Sequence, residues 1–288
     1  MMLHWRPTIL ACLPLWLTGC ATVTPAPQIA PQVALRVCAD PNNLPFSNQA
    51  GEGFENRLAE MLADGMGGKV EYTWWAQRRG FIRNTLAAGR CDVVMGVPAG
   101  YGQAMTTRPY YRSSYVFLSR ADRRYRLHAL DDPRLATLRI GVHVLGNDNP
   151  PPAMLLAQRG ITGNVSGYSI YGDYRNPNPP AVLVDAVARG DVDVAIAWGP
   201  LAGYFATRAS PSLEMTPVDQ PADGTWPMQF SIAMAVRRDD HDLRQRLDAM
   251  LQQKRPQIDA LLRQYGVPLV ADTSLTDASL PGTATPSR

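Results

Sequence analysis

The sequence predicts an α/β protein of two lobes joined by a two-strand hinge, and three observations predict it. Between Leu35 and Leu118, short apolar runs alternate with amphipathic stretches in the order strand, helix, strand, helix, strand. That alternation is the mark of a parallel sheet covered by helices. A second series of the same kind runs from Arg139 to Ala197, and a late apolar strand, Met228 to Val236, precedes two more helices. The chain therefore builds one lobe, crosses to build another, and returns.

The elements follow from period and punctuation. Leu35-Arg36-Val37-Cys38 is the first strand, and Gly53 to Met66 is the first helix, with Phe54, Leu58, Met61 and Leu62 on one face. Gly67-Gly68 ends it, and Val70 to Thr73 is the next strand. Phe81, Ile82, Thr85 and Leu86 share a face of a second helix that stops at Gly89, before a third strand opening at Cys91. The second lobe reads as strand Arg139 to His143, a helix after Pro150-Pro151-Pro152 ending at Gly160, strand Asn164 to Tyr168, helix Ala181 to Arg189 and strand Asp193 to Ala197. Asp239-Asp240 caps a helix carrying Leu243, Leu247, Met250 and Leu251. A last helix carries Ile258, Leu261, Leu262 and Tyr265 and ends at Gly266, with Pro268 beyond. Apolar crossings at Tyr115 to Leu118 and Phe230 to Met234 make the hinge. These boundaries assign residues 33–117 and 228–270 to lobe 1, 118–227 to lobe 2, and 271–288 to a polar, aperiodic and hence disordered tail.

The front end reads as an export signal over residues 1–19. Arg6 supplies positive charge, and Thr8 to Leu17 is an apolar run of roughly ten residues, against the about 20 that a spanning helix needs. Leu17-Thr18-Gly19-Cys20 matches a lipobox, in which Cys20 is acylated and becomes the mature N-terminus; ordinary signal cleavage nearby is the alternative. Residues 20–32 are Pro- and Ala-rich, an extended tether. The expected location is the periplasm, with the lipid as the only membrane attachment.

Of four cysteines, Cys12 falls in the signal and Cys20 in the lipobox, which leaves Cys38 and Cys91 as a pair in an oxidising compartment. Both lie on strands expected to be neighbours. A bond between them is expected to add about 4 kcal/mol by loop closure, and two buried thiols are the alternative.

Other chemistry finds little support. A net charge of +3 with no basic run interleaved with aromatics argues against nucleic acid. His128, His143 and His241 lie at no ligand spacing, so no metal is expected, and Asp239, Asp240 and Asp242 lack the remaining positions of a calcium loop. There is no Gly-x-Ser-x-Gly elbow, Ser113-Ser114 has no assigned base, and the Gly96 to Gly102 turn lacks the Lys of a phosphate loop. No catalytic residue and no cofactor is expected.

Four runs carry a family resemblance: Arg36 to Asn48 (RVCADPNNLPFSN), Gly51 to Asn56 (GEGFEN), Tyr72 to Phe81 (YTWWAQRRGF) and Cys91 to Pro98 (CDVVMGVP). With the element order, they resemble type II periplasmic solute-binding proteins over about Val33 to Val270. Within these they resemble the J proteins of methanol-oxidation clusters (XoxJ and MxaJ), encoded beside pyrroloquinoline-quinone-dependent alcohol dehydrogenases. The resemblance implies a type II periplasmic-binding-protein fold. It also implies a periplasmic partner or activator of a quinoprotein dehydrogenase, lanthanide-dependent in the XoxJ case.

The chain departs from the amino-acid binders of that superfamily. They place an Arg about nine residues before the Pro-Tyr of the switch segment to clamp a carboxylate, whereas Pro98 to Met105 holds none. Where those binders tend to carry an Asp for the ligand ammonium, the strand here runs into Trp198-Gly199-Pro200. The expected cleft is instead aromatic and guanidinium-rich: Asp40, Asn42 and Phe46 on one wall, Trp74, Trp75, Arg78 and Arg79 after the second strand, Arg108, Tyr110 and Tyr111 at the hinge, and Trp198 opposite. Trp, Tyr and Arg dominate protein interfaces, so a groove for a segment of the dehydrogenase is expected. Two alternatives remain open: Trp74 and Trp75 as partly core residues, and a receptor for an aromatic, nonzwitterionic small molecule feeding an importer or sensor.

Overall fold

Two parallel half-sheets share one curved ten-stranded sheet, sewn together by two long antiparallel strands. The computed structural model of the protein describes residues 1–2, 33–144, 149–170, 174–221, 224 and 226–271. The expected lipobox at Cys20, the tether, and the tail beyond residue 271 lie outside the described residues. The chain divides into two units, Met1–Ala30 and Pro31–Arg288, and the architecture below belongs to the second.

The first half-sheet has β1 (Val33–Ala39) at its centre. It pairs in parallel with β4 (Lys69–Trp74) on one side and β5 (Val93–Pro98) on the other. Two short strands, β2 (Asn42–Asn43) and β3 (Ser47–Asn48), form a small hairpin after β1. Helix α1 (Phe54–Gly65) buries Phe54, Leu58 and Leu62, the apolar face that the 3.6-residue period marks. Helix α2 (Phe81–Asn84) is shorter than expected. Thr85 leaves helical geometry at φ −119° and its hydroxyl donates to the Phe81 carbonyl, so Leu86 reaches the core from a turn instead of a helix.

A two-residue strand, β6 (Met105–Thr106), leads to β7 (Tyr111–Arg120), which belongs to both halves. Tyr111 to Ser114 pair with Ile232 to Gln229 of β12 (Gln229–Val236), whereas Tyr115 to Ser119 pair with β10 (Val194–Trp198). The second half-sheet continues from β10 through β8 (Ile140–Val144) to β9 (Val165–Ser169), all parallel. Its helices are α3 (Pro151–Gln158) and α4 (Val182–Arg189), where expected, and α5 (Gly199–Ala206). Both α5 and a strand after it, β11 (Leu213–Pro217), escaped the sequence reading. β12 then returns to pair with β5, and α6 (His241–Gln253) and α7 (Arg255–Gln264) close the first lobe. The two-strand hinge is thus β7 with β12.

Each lobe has its own core. In the first, Leu35, Val37, Phe54, Leu58, Met234 and Leu247 pack together. In the second, Val116, Leu118, Leu183, Ala195 and Leu201 form one cluster and Phe117, Leu135, Ile140 and Leu155 another, on opposite faces of its sheet. At the outer end of the first lobe, Asp92 accepts from Arg36 at 2.6 Å and 2.8 Å and from Arg237 at 3.0 Å. Burial alone would raise the Asp92 pKa, but the hydrogen bonds and charges of Arg36 and Arg237 prevail and hold it below the usual carboxylate range.

Cys38 and Cys91 are bonded, with Cα atoms 5.6 Å apart, and the bridge spans 53 residues. By loop closure, replacing both cysteines with serine is expected to cost about 4 kcal/mol in denaturant unfolding; equal midpoints for the two proteins would contradict that. A carboxylate held at a lowered pKa stabilises the fold above its unfolded pKa and stops doing so as pH falls through the folded one. Asp92→Asn is therefore expected to cost about 1 kcal/mol at pH 7, screening included. The difference should shrink toward zero below the ordinary aspartate range.

Candidate functional site

Parallel strands bring their carboxyl ends to one edge, and open α/β sheets use that edge for binding. Here the order β4-β1-β5 gathers Asp40, the Trp75–Gln77 segment after β4 and Gly96 of β5 at one place. The ends of β10 and β9 bring Trp198 and Ile170 to face them.

The loop from Asp40 to Phe46 fixes the distance between the two sides. Its Pro45 and Phe46 carbonyls accept from Phe54 N and Glu55 N at 2.8 Å and 2.9 Å, satisfying the open N–H groups of α1. Gly53 permits that approach, since a Cβ there would lie 2.0 Å from the Phe46 carbonyl oxygen. Asp40 is buried, and its carboxylate accepts from Asn42 N at 2.8 Å, Gln77 N at 2.7 Å and the Tyr174 hydroxyl at 2.6 Å. Tyr174 belongs to the second lobe, and desolvation followed by the Asp40 charge pushes its phenol well above the usual value. The Asn42 amide donates across the same junction to the Asn176 carbonyl at 3.0 Å. Leu44 is buried among Val116, Leu183 and Leu201 of the second lobe. The lobes are therefore closed upon each other.

Closure leaves a gap of about 170 Å³. Asn43, Phe46, Glu55 and Gln77 wall it from the first lobe, Tyr111 and Ile232 from the hinge, and Ile170 and Trp198 from the second lobe. Glu55 is buried, and that burial pushes its carboxyl up to about 7 against the opposing pull of the Tyr110 hydroxyl, which donates to it at 3.0 Å. Gly96, at φ 72°, makes room for this carboxyl, because a Cβ would lie 2.4 Å from Glu55 Oε1. The Asn43 amide donates to Gln77 Oε1 at 3.3 Å, and its own oxygen is buried without a partner.

Beside the gap, and sharing Gln77 and Gly96 with it, runs an open groove of about 630 Å³. Arg78, Arg79, Phe81, Tyr101 and Gln103 line it. Trp75, at the end of β4, is 37% exposed, and the Arg90 guanidinium lies over its ring at 5.2 Å.

The expected site residues divide accordingly. Asp40, Asn42 and Phe46 form the closing loop, Trp198 walls the gap against Tyr115 and Phe230, and Arg78 and Arg79 line the groove. Arg78 also stacks over the Tyr174 ring at 5.2 Å. Trp74 is half-buried, stacked on Tyr72 with centroids 4.6 Å apart, so it serves the core more than the cleft. Two expectations need correction. Tyr110, just before β7, is 1% exposed in the first-lobe core, its hydroxyl turned to Glu55, and does not line the gap, whereas the equally buried Tyr111 does. Arg108 lines neither space, and its N–H donates to Asp248 of α6 at 2.6 Å.

Glu55, Asn43, Gln77 and Tyr174 were missed. Glu55 reads in sequence as an ordinary acid in a helix's first turn, and nothing local marks it as buried. Among the described residues no three or more His, Cys, Asp or Glu side chains gather as a metal site, and no helix is long and apolar enough to cross a membrane.

Comparison with known proteins agrees with this architecture. The model of the bacterial extracellular solute-binding proteins, family 3, matches residues 35–268. Protein MoxJ of Methylorubrum extorquens strain AM1 is 36% identical over 247 residues, covering 82% of this chain and 81% of that protein. The crystal structure of MxaJ from Methlophaga aminisulfidivorans MPT superposes with a TM-score of 0.70 at 30% identity, covering 82% of this chain and all (100%) of the other. That of the periplasmic binding protein XoxJ from Methylobacterium extorquens AM1 gives 0.68 at 34% identity, covering 83% and 100%. With one family model spanning both lobes and J proteins matching along most of their length, the chain belongs to the bacterial extracellular solute-binding proteins, family 3, in the branch that contains MxaJ and XoxJ.

Proposed function

We propose that this chain is a periplasmic accessory of methanol oxidation that engages a quinoprotein alcohol dehydrogenase, or a segment of it during maturation. The contact surface in this reading is the Arg78–Arg79 groove and the Trp75 rim, outside the gap between the lobes. The observation that carries it is size. Sites for drug-sized ligands run from about 300 to 1,000 Å³; the groove, at about 630 Å³, lies within that range and the gap, at about 170 Å³, lies below it. The groove therefore offers a partner segment more room than the gap does.

Chemistry supports the same surface. Neither Arg78 nor Arg79 takes part in an ion pair among the described residues. Their guanidiniums suit carboxylates bidentately, and an exposed Trp beside them is the residue type that anchors interfaces. An acidic segment of the partner is the natural occupant. The likeness to MoxJ, MxaJ and XoxJ supports the association with methanol oxidation. In this reading the chain is not an enzyme. Its perturbed carboxyl, Glu55, faces a phenol, an amide and apolar walls, and no nucleophile accompanies it at the gap. Export and acylation at Cys20 would hold the body near the membrane.

Binding of the purified dehydrogenase, measured by calorimetry, tests this. Trp75→Ala is expected to weaken association by about 2 kcal/mol. Arg78→Ala with Arg79→Ala is expected to weaken it further and to reduce its dependence on salt. Unchanged affinity in both variants, each still folded, would move the interface elsewhere on the surface.

A further inference from the structure

Arg78 and Arg79 line the same groove, yet only one of them is held. Arg79 makes no side-chain hydrogen bond, ion pair or ring contact among the described residues. The Arg78 guanidinium lies 5.2 Å from the centre of the Tyr174 ring, and that ring belongs to the second lobe. Tyr174 is itself fixed, because its hydroxyl donates to Asp40 Oδ2 at 2.6 Å. The same oxygen accepts from Gln77 N, one residue before Arg78, at 2.7 Å. Asp40 is 1% exposed and its other oxygen accepts from Asn42 N at 2.8 Å, so the carboxylate cannot turn without losing hydrogen bonds. One buried carboxylate therefore fixes both the backbone that leads into Arg78 and the ring that faces its guanidinium.

A guanidinium stacked on a ring keeps its N–H edge free in its own plane, and that edge is what grips a carboxylate bidentately. The ring face attracts the cation. It also narrows the rotamers open to a long side chain, so less freedom is lost when a carboxylate arrives. Desolvation, then the hydrogen bond and charge of Asp40, raise the Tyr174 phenol, and Arg78 pulls it the other way, as a cation close to the ring must. We infer that Tyr174 is a positioning residue for the partner: its ring, pinned by Asp40, holds the Arg78 guanidinium ready for a carboxylate of the bound segment, an assignment that rests on the groove being the contact for an acidic segment.

Because Arg78 and Tyr174 come from different lobes, the anion grip is complete only while the Asp40 junction is closed. Closure and partner binding are then linked, and each favours the other by the same factor. The two arginines also differ in what they contribute. Arg78 acts as an oriented fork, whereas Arg79 supplies charge from a side chain that nothing holds. Tyr174 thus acts through Arg78 and not through Arg79.

Calorimetric titration of the full chain with two probes in parallel, the purified dehydrogenase and a hexaglutamate peptide at low ionic strength, tests the role of Tyr174. Tyr174→Leu is expected to weaken binding of both about three- to fivefold, and Tyr174→Phe, which keeps the ring and loses its tie to Asp40, about twofold. In an Arg78→Ala background Tyr174→Leu is expected to cost nothing further, whereas in an Arg79→Ala background the same loss persists. A general loosening of the fold would lower affinity equally in every background. That equal loss, or native affinity in Tyr174→Leu, overturns the assignment. If Tyr174→Leu does not fold, the same cycle with Tyr174→Phe decides, and an equal loss with and without Arg78, or no loss at all, overturns it. Coupling of Tyr174 to Arg78 seen with hexaglutamate while the dehydrogenase does not bind supports the assignment and overturns the partner reading. Dehydrogenase binding without that coupling does the reverse, and if neither probe binds the native chain, both fall.

Discussion

The loop from Asp40 to Phe46 is the constraint on which the rest of the architecture depends. It is anchored below by the open N–H groups of α1 and above by Tyr174, Asn176 and the core of the second lobe. Burying Leu44 in that foreign core contributes about 2 kcal/mol of apolar transfer, and the Asp40 carboxylate supplies three hydrogen bonds that no apolar residue offers. Were the loop anchored in one lobe alone, β7 and β12 would be the remaining link, and two strands permit rotation about the cleft. Closure thus rests on a few side chains at a single junction.

From closure follows a separation of spaces. The gap is small, acidic and ringed by aromatics, whereas the groove beside it is basic and large. Gln77 and Gly96 border both spaces, so a change in one reaches the other through few atoms. Glu55 shows what the gap requires of the sequence. A carboxyl sits there because Gly96 leaves room for it and Tyr110 donates to it, at the cost of an elevated pKa.

Much of the fold was legible because period and punctuation are local. Leu58 and Leu62 on α1, Leu243 and Leu247 on α6, and the apolar run of β12 each announce their element and their buried face. The Cys38–Cys91 bond followed from compartment and strand adjacency. The site was less legible because its residues act across the chain. Tyr110 and Tyr111 carry the composition of an interface, yet a central strand buries them. Trp75 and Trp74 differ in exposure although adjacent, because β4 ends at Trp74 and Trp75 opens the segment beyond it. Glu55 and Asn43 have ordinary local contexts, and only the meeting of β1, β5, α1 and the hinge makes them face one space. The α2 helix was overestimated because Thr85, which bonds its own backbone, ends it where apolar spacing alone continues.

Small-angle X-ray scattering of the native chain and of Leu44→Ala, recorded side by side, tests the closed junction most directly. The account predicts a compact native particle and a larger radius of gyration for the variant, with secondary structure unchanged by circular dichroism. An identical radius for the two, or a native particle already extended to the open form, would contradict it.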